Sequence, residues 1–140
     1  MIVVIRISGK VKINKEIEET LSRLCLRRKY SCILIHPKDK VKIGMLKKVR
    51  NYVSYGEIEK GMMTRLIEQR GIRKDKKEIK TPEKIAAELE KGKKPEEQEI
   101  KPFFRLHPPR GGMKKSTKHT YPRGILGDNK EINKLIERML

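Results

Sequence analysis

The chain has 140 residues, of which 36 are Lys or Arg and 18 are Asp or Glu, so its formal net charge at pH 7 is +18. This length predicts one domain with at most an appendage. The positive charge far exceeds what solubility requires, and a polyanion is needed to neutralise it, so nucleic acid is the first candidate partner and an anionic membrane surface the second. The apolar runs are too short to span a bilayer and no signal peptide is visible, so we expect no membrane partner and a cytoplasmic location.

The charge is distributed unevenly along the chain. Residues 1–56 contain 14 basic and 4 acidic residues, residues 57–100 contain 12 and 11, and residues 101–140 contain 10 and 3. The basic surface is therefore expected at the two ends. The only cysteines, Cys25 and Cys32, have apolar neighbours, which favours buried thiols over a disulfide or a metal site.

The first 58 residues predict a strand, helix, strand, helix, strand order. Apolar runs indicate buried strands, and apolar residues at helical spacing indicate helices with one buried face. The predicted elements are a strand over residues 1–7, a helix capped by Asn14 and ending in residues 27–29, a strand over residues 32–35, a helix from Gly44 with Met45, Val49, Tyr52 and Val53 on one face, and a short strand over residues 55–58.

Three further helices are predicted after residue 58. The first contains Met62, Met63, Leu66 and Ile67 and is closed by Gly71; the second begins at Thr81-Pro82-Glu83 and ends at Gly92. A capping box, Asp128 to Glu131, predicts the start of the third. Its stripe, which we expect to bury against the N-terminal sheet, is Ile132, Leu135, Ile136, Met139 and Leu140. The division predicted is a core over residues 1–72, a charged linker and solvated peripheral helix over 73–101, and a basic loop with the C-terminal helix over 102–140.

Residues 103–124 predict a long basic loop with six cations and no carboxylate. Such a segment buries too little apolar surface to offset its ordering entropy, so we expect a partner either to order it or to use it. Its arginines and lysines suit phosphates, and a Gly pair permits close backbone approach. The aromatic residues near it are Phe103, Phe104 and Tyr121, and either Phe could equally be core, so folded RNA read by shape and backbone suits the composition better than base stacking.

No catalytic signature is convincing. There is no phosphate-binding Gly-rich loop, and His36, His107 and His119 do not have metal-ligand spacing. An RNA-processing enzyme that uses His107 and His119 as acid and base remains an alternative of a different class. A free-standing basic RNA/DNA-binding or packaging protein is a further alternative.

Several segments resemble one known family. FFRLHPPRGGMKK at 103–115 and INKLIERM at 132–139 are similar to the C-terminal signature of the universal L-thirty family of large-subunit ribosomal proteins, in its long archaeal and eukaryotic form, called L-seven in eukaryotes. GMLKKV at 44–49 and YGE at 55–57 resemble its second helix and third strand. The resemblance implies an α+β fold: a small βαβαβ core with a mainly antiparallel three-stranded sheet, a helical insertion and a basic C-terminal extension ending in a helix.

The resemblance also implies a structural, non-enzymatic constituent of the large ribosomal subunit, without cofactor, metal or small-molecule substrate, whose partners are large-subunit rRNA and neighbouring ribosomal proteins. Arg123-Gly124 departs from the Gly pair that the family often has there, so a positive φ at the first position would have to be replaced by a different bend. Residues 73–100 match the family poorly and receive no function. Residue types and the resemblance together give the candidate RNA-binding residues Ser8, Gly9, Lys10, Arg27, Arg28, Lys29, Gly44, Lys47, Lys48, Arg105, His107, Arg110, Gly111, Gly112, Lys114, Lys115, Lys118, His119 and Arg123.

Overall fold

The computed structural model describes residues 1–76, 79–93 and 100–140, which form a mixed α+β structure as predicted. Parts of the predicted linker and of the peripheral segment, at 77–78 and 94–99, lie outside the described residues. The described strands are β1 (Ile2–Arg6), β2 (Ser31–Ile35), β3 (Val53–Glu57), β4 (Phe104–Arg105), β5 (Ser116–Thr120) and β6 (Gly124–Asp128). The described helices are α1 (Lys15–Arg23), α2 (Lys40–Val49), α3 (Lys60–Arg70), α4 (Pro82–Glu90) and α5 (Ile132–Met139).

The described strands form one sheet in the order β4-β2-β1-β3-β6-β5. β1 lies antiparallel between β2 and β3, with Val4 opposite both Ile33 and Tyr55, which confirms the predicted antiparallel three-stranded core. The sheet has more strands than predicted because β4 adds antiparallel to β2, and β6 adds parallel to β3 and pairs with β5.

Helices cover both faces of the sheet. Alternate residues of a strand point to opposite faces. Val3 and Ile5 of β1 therefore join a core cluster with α3, α4 and α5, whereas Val4 joins a second cluster with α1 and α2. Burial on both faces explains why most of β1 and β2 reads as apolar runs, at 2–5 and 32–35, without alternating polar residues. The predicted stripe of α5 is buried in full, against β3 and α3.

The first helix ends earlier than predicted. It stops at Arg23, and Cys25 takes a positive φ of 64°. The Leu26 amide then donates to the Leu21 carbonyl (2.8 Å) and the Cys25 amide to the Ser22 carbonyl (3.0 Å), which is a Schellman motif. Arg27, Arg28 and Lys29 therefore lie in the loop before β2 and not at a helix end.

The second helix begins earlier than predicted, at Lys40. Asp39 caps it, because its carboxylate accepts from the Lys42 amide at 3.2 Å. Gly44 thus lies inside α2 and not at its start, and Val53 belongs to β3 and not to the helix.

The basic segment contains strands that the sequence did not predict. β5 lies within residues 103–124, and β6 extends to Asp128, so the predicted capping box does not form. The Asn129 side chain accepts instead from the Glu131 amide at 2.9 Å. The φ of Arg123 is not positive, so the turn between β5 and β6 forms without a positive φ at this position.

The helix predicted from residue 82 exists and is partly solvated: Glu83, Lys84 and Ala87 are exposed, and one narrow face is buried. Ala86 and Leu89 of α4 are buried in the same core cluster as α3 and α5. Arg73 forms an isolated bridge with Ile100, which joins the ends of this segment. Within the described ranges, no helix has the length and apolar character to cross a membrane.

Candidate nucleic-acid interface

A buried arginine connects two of the candidate loops. Arg6, at the end of β1, is 1% exposed. Its guanidinium donates to the carbonyls of Leu26 (2.7 Å), Ser8 (2.9 Å) and Gly9 (3.2 Å). Burial lowers the pKa of Arg6, and the negative charge of Glu18 partly opposes that shift. One side chain thus fixes both the loop that contains Ser8, Gly9 and Lys10 and the start of the loop that contains Arg27, Arg28 and Lys29.

The pairing of β4 with β2 brings Arg105 close to the loop that contains Arg27 and Arg28. Ser31 lies opposite Arg105, so Arg105 and the arginines at 27 and 28 line one cavity of about 400 Å³. Phe103 also lines it, half-buried, with the Arg105 guanidinium 5.6 Å from its ring centre. Phe104 is 2% exposed and belongs to the opposite core cluster, which decides which of the two rings is core.

The Pro-Arg-Gly-Gly segment is held by the end of α5. The His107 amide donates to the Met139 carbonyl (3.2 Å), and the Arg110 amide donates to the Arg138 carbonyl (2.9 Å). The Arg138 side chain returns a bond to the Arg110 carbonyl (3.0 Å) and also contacts the Gly112 carbonyl. Hydrogen bonds to α5 therefore order the anchored part of this segment, and its use by a partner stays a prediction.

Two glycines shape the exposed tip of that segment. Gly111 and Gly112 have φ values of +78° and +76°, a conformation that side chains with a Cβ rarely adopt. Both are exposed, as are Arg110 and Lys114. The tip thus offers accessible backbone beside two cations, an arrangement suited to phosphate.

The two candidate histidines have different surroundings. His107 is half-buried, and its ring nitrogens face backbone oxygens: Nδ1 lies 2.6 Å from the Pro108 oxygen and Nε2 contacts that of Leu140. His119 is exposed on β5. Among the described residues no hydrogen bond joins the two rings. Likewise, no group of three or more described His, Cys, Asp or Glu residues could hold a metal ion.

Of the remaining candidate residues, two lysines form ion pairs with described acidic residues. Lys115 pairs with Glu131 at 3.1 Å and lies 4.8 Å from the ring centre of Tyr121. Lys48 on α2 pairs with Glu16 on α1, and this hydrogen bond and the lysine's charge lower the pKa of Glu16. Lys47, Gly44, Lys118 and Arg123 are exposed.

The candidates therefore form two groups. One lies with α1, α2 and β4 and includes the arginine-lined cavity; the other lies on the α5 side and includes the glycine tip. Sequence reasoning missed Arg6, although a cation inside an apolar run is a recognisable signal of a buried charge. It also missed Cys25 at the cavity wall, for which the sequence offers no signal.

Comparison with known proteins finds relatives that match nearly the whole chain. The family model for ribosomal protein L30p/L7e matches residues 2–53. Large ribosomal subunit protein uL30 of Archaeoglobus fulgidus is 38% identical over 153 aligned positions, covering 99% of each chain. The uL30 protein of Aeropyrum pernix is also 38% identical, over 98% of this chain and 97% of its own. The uL30 protein of Desulfurococcus amylolyticus is 39% identical, over 98% and 96%. On this evidence the chain belongs to the L30p/L7e family of ribosomal proteins.

Proposed function

We propose that the chain is a structural constituent of the large ribosomal subunit. It binds large-subunit rRNA through its basic surface and the Pro-Arg-Gly-Gly loop at 109–112, contacts neighbouring ribosomal proteins and catalyses no reaction. Its location is then the cytoplasm, within that subunit. The names of its relatives and the net charge of +18 support this role.

The observation that carries the rRNA-binding proposal is the anchored glycine tip. Its backbone is bonded to α5, while Arg110, Gly111, Gly112 and Lys114 face solvent. A loop held in advance loses less conformational entropy when it binds, so more of its phosphate contact energy appears as affinity. Within this proposal, residues 1–72 form the core, residues 73–101 have no assigned RNA contact and residues 102–140 supply the RNA-binding loop and its supporting helix.

The test replaces Arg110, Lys114 and Lys115 together by Ala and measures binding to large-subunit rRNA across a salt series. Loss of about three phosphate contacts should reduce the logarithmic salt slope by about 2 to 3, while the circular dichroism of the core stays unchanged. The matched control removes three exposed lysines of the near-neutral segment, Lys80, Lys84 and Lys91, and should leave the slope nearly unaltered. Equal slopes for the two triple variants would remove the loop from the interface.

Two further comparisons separate the alternative functions. A packaging protein should bind arbitrary duplex DNA as tightly as folded rRNA, whereas the proposed role requires a preference for rRNA. Replacing His107 and His119 by Ala should abolish any RNA cleavage by a processing enzyme; under the proposed role there is no cleavage to lose.

A further inference from the structure

The arginine-lined cavity has an unusual combination of surfaces. Arg27, Arg28 and Arg105 meet there, and none of the described residues that line the cavity is acidic. None of these three guanidinium groups pairs with a described acidic residue. Its volume of about 400 Å³ lies within the usual range of ligand sites, about 300–1,000 Å³. Three arginines around a concave surface predict an anionic occupant.

The aromatic side chain that lines the cavity, Phe103, indicates which kind of anion the cavity suits. Phe103 packs on one side against the core cluster of α1 and α2 and also lines the cavity, so its ring is held in position. A simple phosphate or sulfate would gain nothing from an apolar ring. A nucleobase would, because each base presents a π-face that stacks on an aromatic side chain.

We propose that this cavity binds one unpaired nucleotide of RNA, with its base on the Phe103 ring in place of the Arg105 guanidinium and its flanking phosphates on Arg27 and Arg28. The proposal rests on the proposed function in that the RNA is then ribosomal. A nucleotide inside an A-form helix has its base stacked and paired, so only a bulged, looped or terminal nucleotide can enter. The interface would thus combine backbone contacts at the glycine tip with stacking at this second site.

Two cysteines provide a direct probe in the unmodified chain. Cys25 is half-buried and lines the cavity, whereas Cys32 is fully buried and burial raises the pKa of its thiol, so Cys32 should stay unreactive. The full chain is treated with N-ethylmaleimide alone, with an oligoadenylate octamer and with an RNA duplex of the same length, each RNA at saturation. The octamer should slow alkylation of Cys25 severalfold, and the duplex should not. Equal protection by both RNAs would contradict a site for an unpaired base.

A matched pair of variants tests the aromatic contact. Phe103→Leu keeps apolar bulk against the core and removes the π-face, so oligoadenylate affinity should fall about tenfold, the loss of one base stack. Tyr55→Leu removes another half-buried ring from the same core cluster and should change that affinity less than about twofold. Duplex affinity should be the same in both variants and wild type. Unaltered oligoadenylate binding by Phe103→Leu overturns the proposal.

The outcomes separate this inference from the proposed function. In one outcome the chain associates with large-subunit rRNA whether or not Phe103 is present, and RNA does not protect Cys25. That outcome overturns the cavity site and leaves the ribosomal role standing. In the other outcome oligoadenylate binding depends on Phe103, but the chain does not associate with large subunits. That outcome supports the cavity site and overturns the ribosomal role.

Discussion

Replacement of Arg6 by Met tests how the two N-terminal loops are held together. The guanidinium makes three hydrogen bonds to backbone carbonyls, at 2.7, 2.9 and 3.2 Å, and the bond to Leu26 is fully buried. Hydrogen bonds to a charged group contribute about 1.5–3 kcal/mol each, which gives roughly 5–9 kcal/mol before desolvation is counted. Desolvation of a buried ion offsets several kcal/mol of this. We therefore expect Arg6→Met to lower the free energy of unfolding by about 2–4 kcal/mol.

The assay is urea unfolding followed by far-ultraviolet circular dichroism at pH 7. Arg6→Lys keeps the positive charge but not the planar guanidinium that reaches three carbonyls. Its free energy of unfolding should therefore fall less than that of Arg6→Met. Arg50→Met, at an exposed position after α2, is the control and should stay within about 0.5 kcal/mol of wild type. An Arg6→Met variant as stable as the control would contradict a stabilising role for Arg6, because it would mean that desolvation cancels the three hydrogen bonds. Hydrogen exchange should also accelerate together in residues 8–10 and 26–29.

Three substitutions give further predictions. Gly56→Ala would bring a Cβ within 2.5 Å of the Asn129 oxygen and 2.8 Å of an Ile132 methyl carbon, so it should lower stability by about 3 kcal/mol; an unchanged urea midpoint would contradict this docking of α5. Gly44→Ala meets nothing within 4 Å and lies inside α2, so it should raise stability by about 0.5–1 kcal/mol, and a loss would contradict the helix bounds. Burial raises the pKa of the Cys32 thiol, so the folded state holds this proton more tightly than the unfolded state does. The stabilisation from burying the neutral thiol is complete below the unfolded thiol's pKa of about 8.5 and is lost as the pH rises above it. Wild type should therefore lose stability relative to Cys32→Val by up to about 1 kcal/mol per pH unit from pH 9 to 10, and parallel pH profiles would contradict the prediction.

The central sheet and the last helix could be predicted because local pattern and tertiary burial agree there. β1 and β2 are buried on both faces and read as apolar runs, and the stripe of α5 faces the sheet. Helix ends were less predictable. A Schellman motif usually has Gly at its positive-φ residue, but here it has Cys25, and Gly44 inside α2 favoured a start too far along the chain.

The strands of the basic segment were not predictable from local sequence. Most residues of β5 are exposed, and its polar residues show no alternation. β4 has two residues and exists because β2 provides an edge. The cavity depends on this edge pairing, which brings Arg105 beside a loop more than 70 positions earlier in the chain. The residue types of the site could therefore be predicted, but not their grouping.

A sucrose-gradient profile of cell extract, in which this chain is followed before and after a high-salt wash of the ribosomes, tests the ribosomal role. We expect the chain to sediment with the large subunit and to remain there after the wash, because contacts of the anchored glycine tip would supplement the attraction of its net charge. A chain found at the top of the gradient, or released completely by salt, would contradict the ribosomal role and favour a free-standing nucleic-acid-binding protein.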